Sequence, residues 1–160
     1  MMYLVINVRS AIVFESLHHG NTKQVAEAMA AAIGADLFYL RDRRRADLQD
    51  YDLVGFGSGI YGSKHHRDLI GFAARSRLRK GARVFIFSTA GLPFLSGLWH
   101  RALRAELTKK GVTIAGELCL PGYDTYAIFG LIGGINRGRP GEEDLERAER
   151  FARSIAGPES

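Results

Sequence analysis

The chain has 160 residues, 46% hydrophobic and 24% charged, with 22 Lys+Arg against 17 Asp+Glu, so its net charge is +5. This length and apolar content support one domain, spanning 1–160, with a real core, and they exclude an intrinsically disordered chain. A single cysteine, Cys119, excludes a disulfide framework or a multi-cysteine zinc site within one chain and fits a reducing compartment. The longest apolar run, Ala127 to Ile135, has nine residues including three glycines, against about 20 needed to cross a bilayer. The N-terminal MMYLVINVRS lacks a basic n-region and a small-residue cleavage site, so neither a signal peptide nor a transmembrane segment is expected. The expected location is cytoplasmic.

Taken in chain order, strand and helix patterns alternate. Ala11 to Phe14 is a short continuous apolar run, as in a strand buried on both faces. Thr22 to Ile33 places Val25, Met29, Ala32 and Ile33 on one helical face and stops at Gly34. Asp36 to Leu40 and Leu53 to Gly57 read as the next two strands, the second running into a glycine-rich loop. Asp68 to Ala74 reads as a short helix with Leu69, Phe72 and Ala73 inward. Arg83 to Phe87 is the clearest strand. Leu95, Leu98, Trp99, Ala102, Leu103 and Leu107 mark a third helix that stops at Gly111, and Trp99 is expected in the core. Val112 to Leu120 is the fifth strand. Pro140-Gly141 opens a last helix with Glu142, Glu143 and Asp144 at its positive end and Leu145, Ala148, Phe151, Ala152 and Ile155 inward. Such alternation predicts an α/β fold, a doubly wound five-stranded parallel sheet between two helical layers. Pro121 to Arg139 is a long glycine-rich connection, a length usually functional or partly structured.

In such a sheet ligands bind beyond the carboxyl ends of the strands, where the strand order reverses. The loop after strand one is Ser16-Leu17-His18-His19-Gly20-Asn21-Thr22, leading straight into a helix. Free N–H groups at a helix start suit a phosphate, and glycine lets backbone approach it closely. No lysine completes a nucleoside-triphosphate loop, so a small phosphate monoester is the better fit. The alternative is that Asn21 and Thr22 merely cap the helix. After strand three comes Gly57-Ser58-Gly59-Ile60-Tyr61-Gly62, which also spells G-x-G-x-x-G. A dinucleotide reading is weak there, because the motif does not open the domain and no acid follows at about 20 residues. After strand four comes Ser88-Thr89-Ala90-Gly91.

Ser-x-x-x-Gly-Asn-Thr directly after an apolar strand resembles the FMN phosphate loop of flavodoxins. The commonest flavodoxin form has one residue fewer before the glycine. The longer form is similar to loops of multidomain flavoproteins and of menaquinone-dependent protoporphyrinogen oxidase. The resemblance covers roughly Ala11 to Ile155. It implies a flavodoxin-like three-layer sandwich with strand order 2-1-3-4-5 and one FMN. It places Ser16, His18, His19, Gly20, Asn21 and Thr22 at the phosphate. Gly59, Ile60, Tyr61 and Gly62 fall on one side of the flavin ring and Ser88, Thr89, Ala90 and Gly91 on the other, with Asp124 reaching the same crevice. No acid–base residue is implied, because the flavin carries the redox chemistry.

The expected function is electron transfer. The alternatives are an FMN-dependent oxidoreductase acting on a quinone or porphyrinogen, and a flavin-free binding module. The basic charge suggests an acidic redox partner protein. The apolar stretch 127–135 is either a patch for a partner, quinone or membrane surface, or packing onto the sheet. His18-His19 and His65-His66 invite a four-imidazole metal site, but adjacent pairs rarely aim both rings at one ion, and no metal is expected. The basic run Arg41-Asp42-Arg43-Arg44-Arg45 reads as a solvated loop, not a nucleic-acid surface.

Overall fold

The computed structural model describes residues 7–42, 46–123 and 134–157. Five parallel strands run in the order β2-β1-β3-β5-β6. They are β1 (Ser10–Glu15), β2 (Asp36–Tyr39), β3 (Leu53–Tyr61), β5 (Arg83–Ala90) and β6 (Thr113–Pro121). This is the 2-1-3-4-5 order that the resemblance implied. A two-residue β4 (Lys64–His65) pairs antiparallel with the end of β3. Helices α1 (Asn21–Ile33) and α5 (Glu142–Ala156) cover one face. Helices α2 (Arg67–Arg75), α3 (Ser96–Trp99) and α4 (Arg101–Thr108) cover the other. Among the described residues no helix is long and apolar enough to cross a membrane.

Side chains alternate along each strand, so the sheet feeds two cores. Ile12, Phe14, Leu53, Phe85, Phe87 and Leu120 meet Val25, Met29, Ala148 and Ala152 of α1 and α5. Ala11, Val13, Val54, Phe56, Val84 and Ile86 meet Leu69, Ala73, Leu103 and Leu107 of α2 and α4. The strand order reverses beside β1, between β1 and β3. The loops after β1, β3 and β5 therefore share one end of the sheet.

Two elements differ from the sequence pattern. Strand β3 does not end at Gly57: it continues to Tyr61 and turns back through Gly62 and Ser63, both at positive φ (55° and 64°). Two successive left-handed residues make the two-residue hairpin turn that matches strand twist. The third helix is also broken. A 3₁₀ turn at Pro93–Leu95 precedes α3, and His100 separates α3 from α4. Leu103 and Leu107 are buried and Trp99 lies in the core, but Leu95 and Leu98 are exposed. The break turns the imidazole of His100 inward, onto Ser88 of β5, and leaves the first turn overhanging.

Candidate functional site

The loop after β1 makes a short 3₁₀ turn, His18–Gly20, with His19 and Gly20 both left-handed (φ 60° and 66°). Gly20 is the N-cap of α1, so Asn21 and Thr22 fall inside the helix and do not cap it. The glycine N-cap of α1 offers no side chain, and the first turn holds no acidic residue. Its positive end is thus left to other partners. A Cβ on Gly20 would meet nothing within 4 Å, so the space above the turn is open. Ser16 Oγ accepts the Lys23 N–H at 3.3 Å and ties the loop to the first turn. The Asn21 amide donates to Tyr123 O at 2.9 Å, and the Thr22 and Thr89 hydroxyls bond at 2.8 Å. Gly122 leaves the room for this: a Cβ there would lie 2.8 Å from Asn21 Nδ2. The His19 ring lies 4.4 Å from that of Tyr123. For His18 only the backbone is described.

Tyr61 ends β3, just before the hairpin turn. Its hydroxyl accepts the Leu17 N–H at 3.3 Å and its ring meets His66 edge-on at 5.4 Å. Gly59 is required here, because a Cβ would stand 2.7 Å from the Tyr61 hydroxyl. Burial raises the Tyr61 phenol above its ordinary value. At the end of β5, Thr89 and Ala90 are buried and Gly91 O accepts from Asn136 Nδ2 at 2.8 Å. The structure thus brings Ser16, Gly20, Asn21, Thr22, Tyr61, Thr89 and Gly91 to one end of the sheet. Ile60 instead packs with Ala90, Trp99 and Cys119. Asp124 and most of the 127–135 stretch lie outside the described residues, as do Arg43 to Arg45.

The comparisons agree with this fold. Residues 11–126 match the model of the flavodoxin domain family. The chain belongs to the flavodoxin domain family. An uncharacterized protein of Methanocaldococcus jannaschii is 44% identical over 149 residues, covering 92% of this chain and 98% of that one. Among solved structures, a flavodoxin from the domain Archaea aligns at TM-score 0.60 and 18% identity over 92% of this chain and 96% of its own. A Streptococcus pneumoniae flavodoxin aligns at 0.64 and 19% over 92% and 97%. Rubredoxin oxygen:oxidoreductase of Desulfovibrio gigas gives 0.64 and 17%, with 35% of its own chain covered. At these identities the structures share the fold.

This flavodoxin-family domain also carries a polar cluster that no motif announced. Ser58 of β3 and Ser88 of β5 lie in register on the α2–α4 face. Ser88 Oγ is 2.6 Å from His100 Nε2, and His100 Nδ1 is 3.0 Å from Glu117 Oε1. Arg104 donates to both Glu117 oxygens, at 2.9 and 2.7 Å. Burial alone would raise the Glu117 carboxyl, but hydrogen bonds from His100 and Arg104 hold it down at about 2. Ser58 Oγ donates to Gly59 O at 2.7 Å and meets His65 Nδ1 at 2.9 Å. The His65 Nε2 atom is buried without a partner, and its ring lies 4.9 Å from His100. Burial, with His100 beside it, lowers the His65 imidazole to about 3.

The Ser88–His100–Glu117 chain has the connectivity of a nucleophile, base and orienting acid. Ser88 is fully buried, however, so no substrate reaches its hydroxyl. The chain anchors the end of β5 and leaves only the Ser88 backbone for a ligand. Of the four imidazoles weighed as a metal site, His65 turns inward to Ser58, while His66 caps α2. Serine and histidine scattered over four elements carry no local spacing, so only the fold reveals this network.

Proposed function

We propose that this chain binds one FMN non-covalently and serves as an electron carrier. The observation that carries this reading is the amino end of α1. It has a glycine N-cap, no first-turn acid and open space above Gly20, and it stands at the sheet end where β1, β3 and β5 finish. Those features fit a phosphate dianion held by backbone dipoles. Ser16, His18, His19, Gly20, Asn21 and Thr22 would hold the phosphate. Gly59 to Gly62 and the backbone from Ser88 to Gly91 would flank the ring, with Asp124 a further candidate. When bound, the flavin supplies one- or two-electron transfer, and the chain sets its position and surroundings. The net charge of +5 makes an acidic protein the complementary partner.

Titrating FMN into the purified chain should quench flavin fluorescence to a one-to-one complex with shifted visible bands. Absence of both would sink the reading. Asn21→Asp keeps helix α1 favourable, because an acid suits its positive end, but gives up the bond to Tyr123 O and sets a negative charge against the phosphate. It should weaken FMN binding about tenfold or more, with circular dichroism unchanged.

A second reading, an FMN-dependent oxidoreductase acting on a quinone or porphyrinogen, rests on one feature. Directly after the β5 loop, Phe94 is 77% and Leu98 57% exposed, with Leu92 and Leu95 beside them at 36%. Exposed apolar clusters mark contact surfaces. Phe94→Ser should leave FMN affinity unchanged and slow reoxidation of the dithionite-reduced, FMN-loaded protein by a soluble quinone. Equal rates would remove this reading.

A further inference from the structure

A second cluster lies on the α2 face of the sheet, next to the loop after β1. Glu15 ends β1 and follows Ala11 and Val13 onto that face. His66 is the N-cap of α2, and Asp68 sits in its first turn. One donor atom from each lies within 4.8 Å of the other two. His66 Nδ1 and Asp68 Oδ2 are 3.8 Å apart. Two ligands each about 2.1 Å from one ion stand roughly 3–4 Å apart, so that pair already has the separation of a shared ion. The remaining contraction is within reach of the exposed Asp68 side chain. All three residues line one cavity of about 1070 Å³.

Glu15 supplies an independent observation. It is 4% exposed, yet it makes no ion pair among the described residues. Its Oε1 accepts the Ser16 N–H at 3.0 Å, and Oε2 accepts no hydrogen bond among the described residues. Glu15 lines the cavity, so this unpartnered oxygen meets solvent there and is open to a ligand. Arg41 and Arg75 line the same cavity but neither pairs with it. The His66 ring is held edge-on to Tyr61, and its Nδ1 accepts only the 3.2 Å bond from the Asp68 N–H, which an ion would displace.

We propose that Glu15, His66 and Asp68 form a site for a divalent metal ion of the zinc type, distinct from the phosphate cradle. One imidazole and two carboxylates suit a borderline ion. Magnesium and calcium prefer all-oxygen sites with several ligands, so with an imidazole among three ligands they should bind poorly.

The test is calorimetry on the full, tag-free chain after chelator treatment, with zinc and then magnesium chloride. One equivalent of zinc and no magnesium heat are expected. His66→Gln, Asp68→Asn and Glu15→Gln should each weaken zinc about tenfold or more. Asp68 is exposed, so its variant keeps the fold and stands even if Glu15→Gln does not. Absence of zinc heat would overturn the proposal. So would unchanged titrations in both His66→Gln and Asp68→Asn, or loss of the heat in His19→Gln alone, which assigns the ion to surface histidines.

Discussion

Gly57→Ala should destabilise the protein by about 2–3 kcal/mol, the upper part of the overpacking range, and lower its melting temperature by roughly 5–10 °C. Glycine inside a strand ordinarily costs about 0.5–1 kcal/mol relative to alanine, so a position with open space would show a gain. Here the sign reverses. A Cβ at Gly57 would lie 2.2 Å from Phe87 Cζ, with the neighbouring ring carbons at 2.3 and 2.4 Å. Gly57 and Phe87 are register partners on adjacent central strands. The Phe87 ring, fully buried in the α1–α5 core, lies across the glycine and has no free volume to move into. Gly55 stands in the same relation to Phe85. Thermal and urea melts of Gly57→Ala decide the matter, and pairing it with Phe87→Leu should recover part of the loss. A variant as stable as the parent would show that the ring is not fixed over the strand.

Lowering the pH from 7.5 to 5 should cost about 2 kcal/mol of stability through His65 alone. The buried imidazole is lowered to about 3, from an ordinary 6.5 in the unfolded chain. Between those values the unfolded chain binds a proton that the folded chain refuses. Stability is therefore full above pH 6.5 and falls steadily as the pH drops toward 3. Glu117 acts in a lower window. Its contribution is present above its ordinary 4.5 and is lost as the pH falls toward about 2. The two are separable by denaturant titrations across pH 3–8. His65→Gln should flatten the slope between pH 5 and 7, whatever its absolute stability, while the slope below 4.5 remains. A parent protein equally stable at pH 7.5 and 5 would exclude a neutral, buried His65.

By itself the sequence determined the alternation of strands and helices, the apolar faces of α1 and α5, and the loop that opens α1. Each is a local pattern: hydrophobic period, a glycine at a helix start, an apolar run between turn residues. The resemblance carried by Ser16, Gly20, Asn21 and Thr22 then supplied the strand order. The tertiary structure decided what depends on partners distant in sequence. Gly57 reads as the last strand residue before a glycine-rich loop, yet it lies inside a longer strand and makes room for a ring 30 positions on. Ser88 reads as a ligand contact, yet it is committed to His100. His65 and His66 are adjacent in the chain and end in different environments, one sealed against Ser58 and the other facing Glu15 and Asp68. Alternation along the β4 hairpin sends neighbouring side chains to opposite sides. Which buried groups meet there is set by strand register, which the local sequence does not encode.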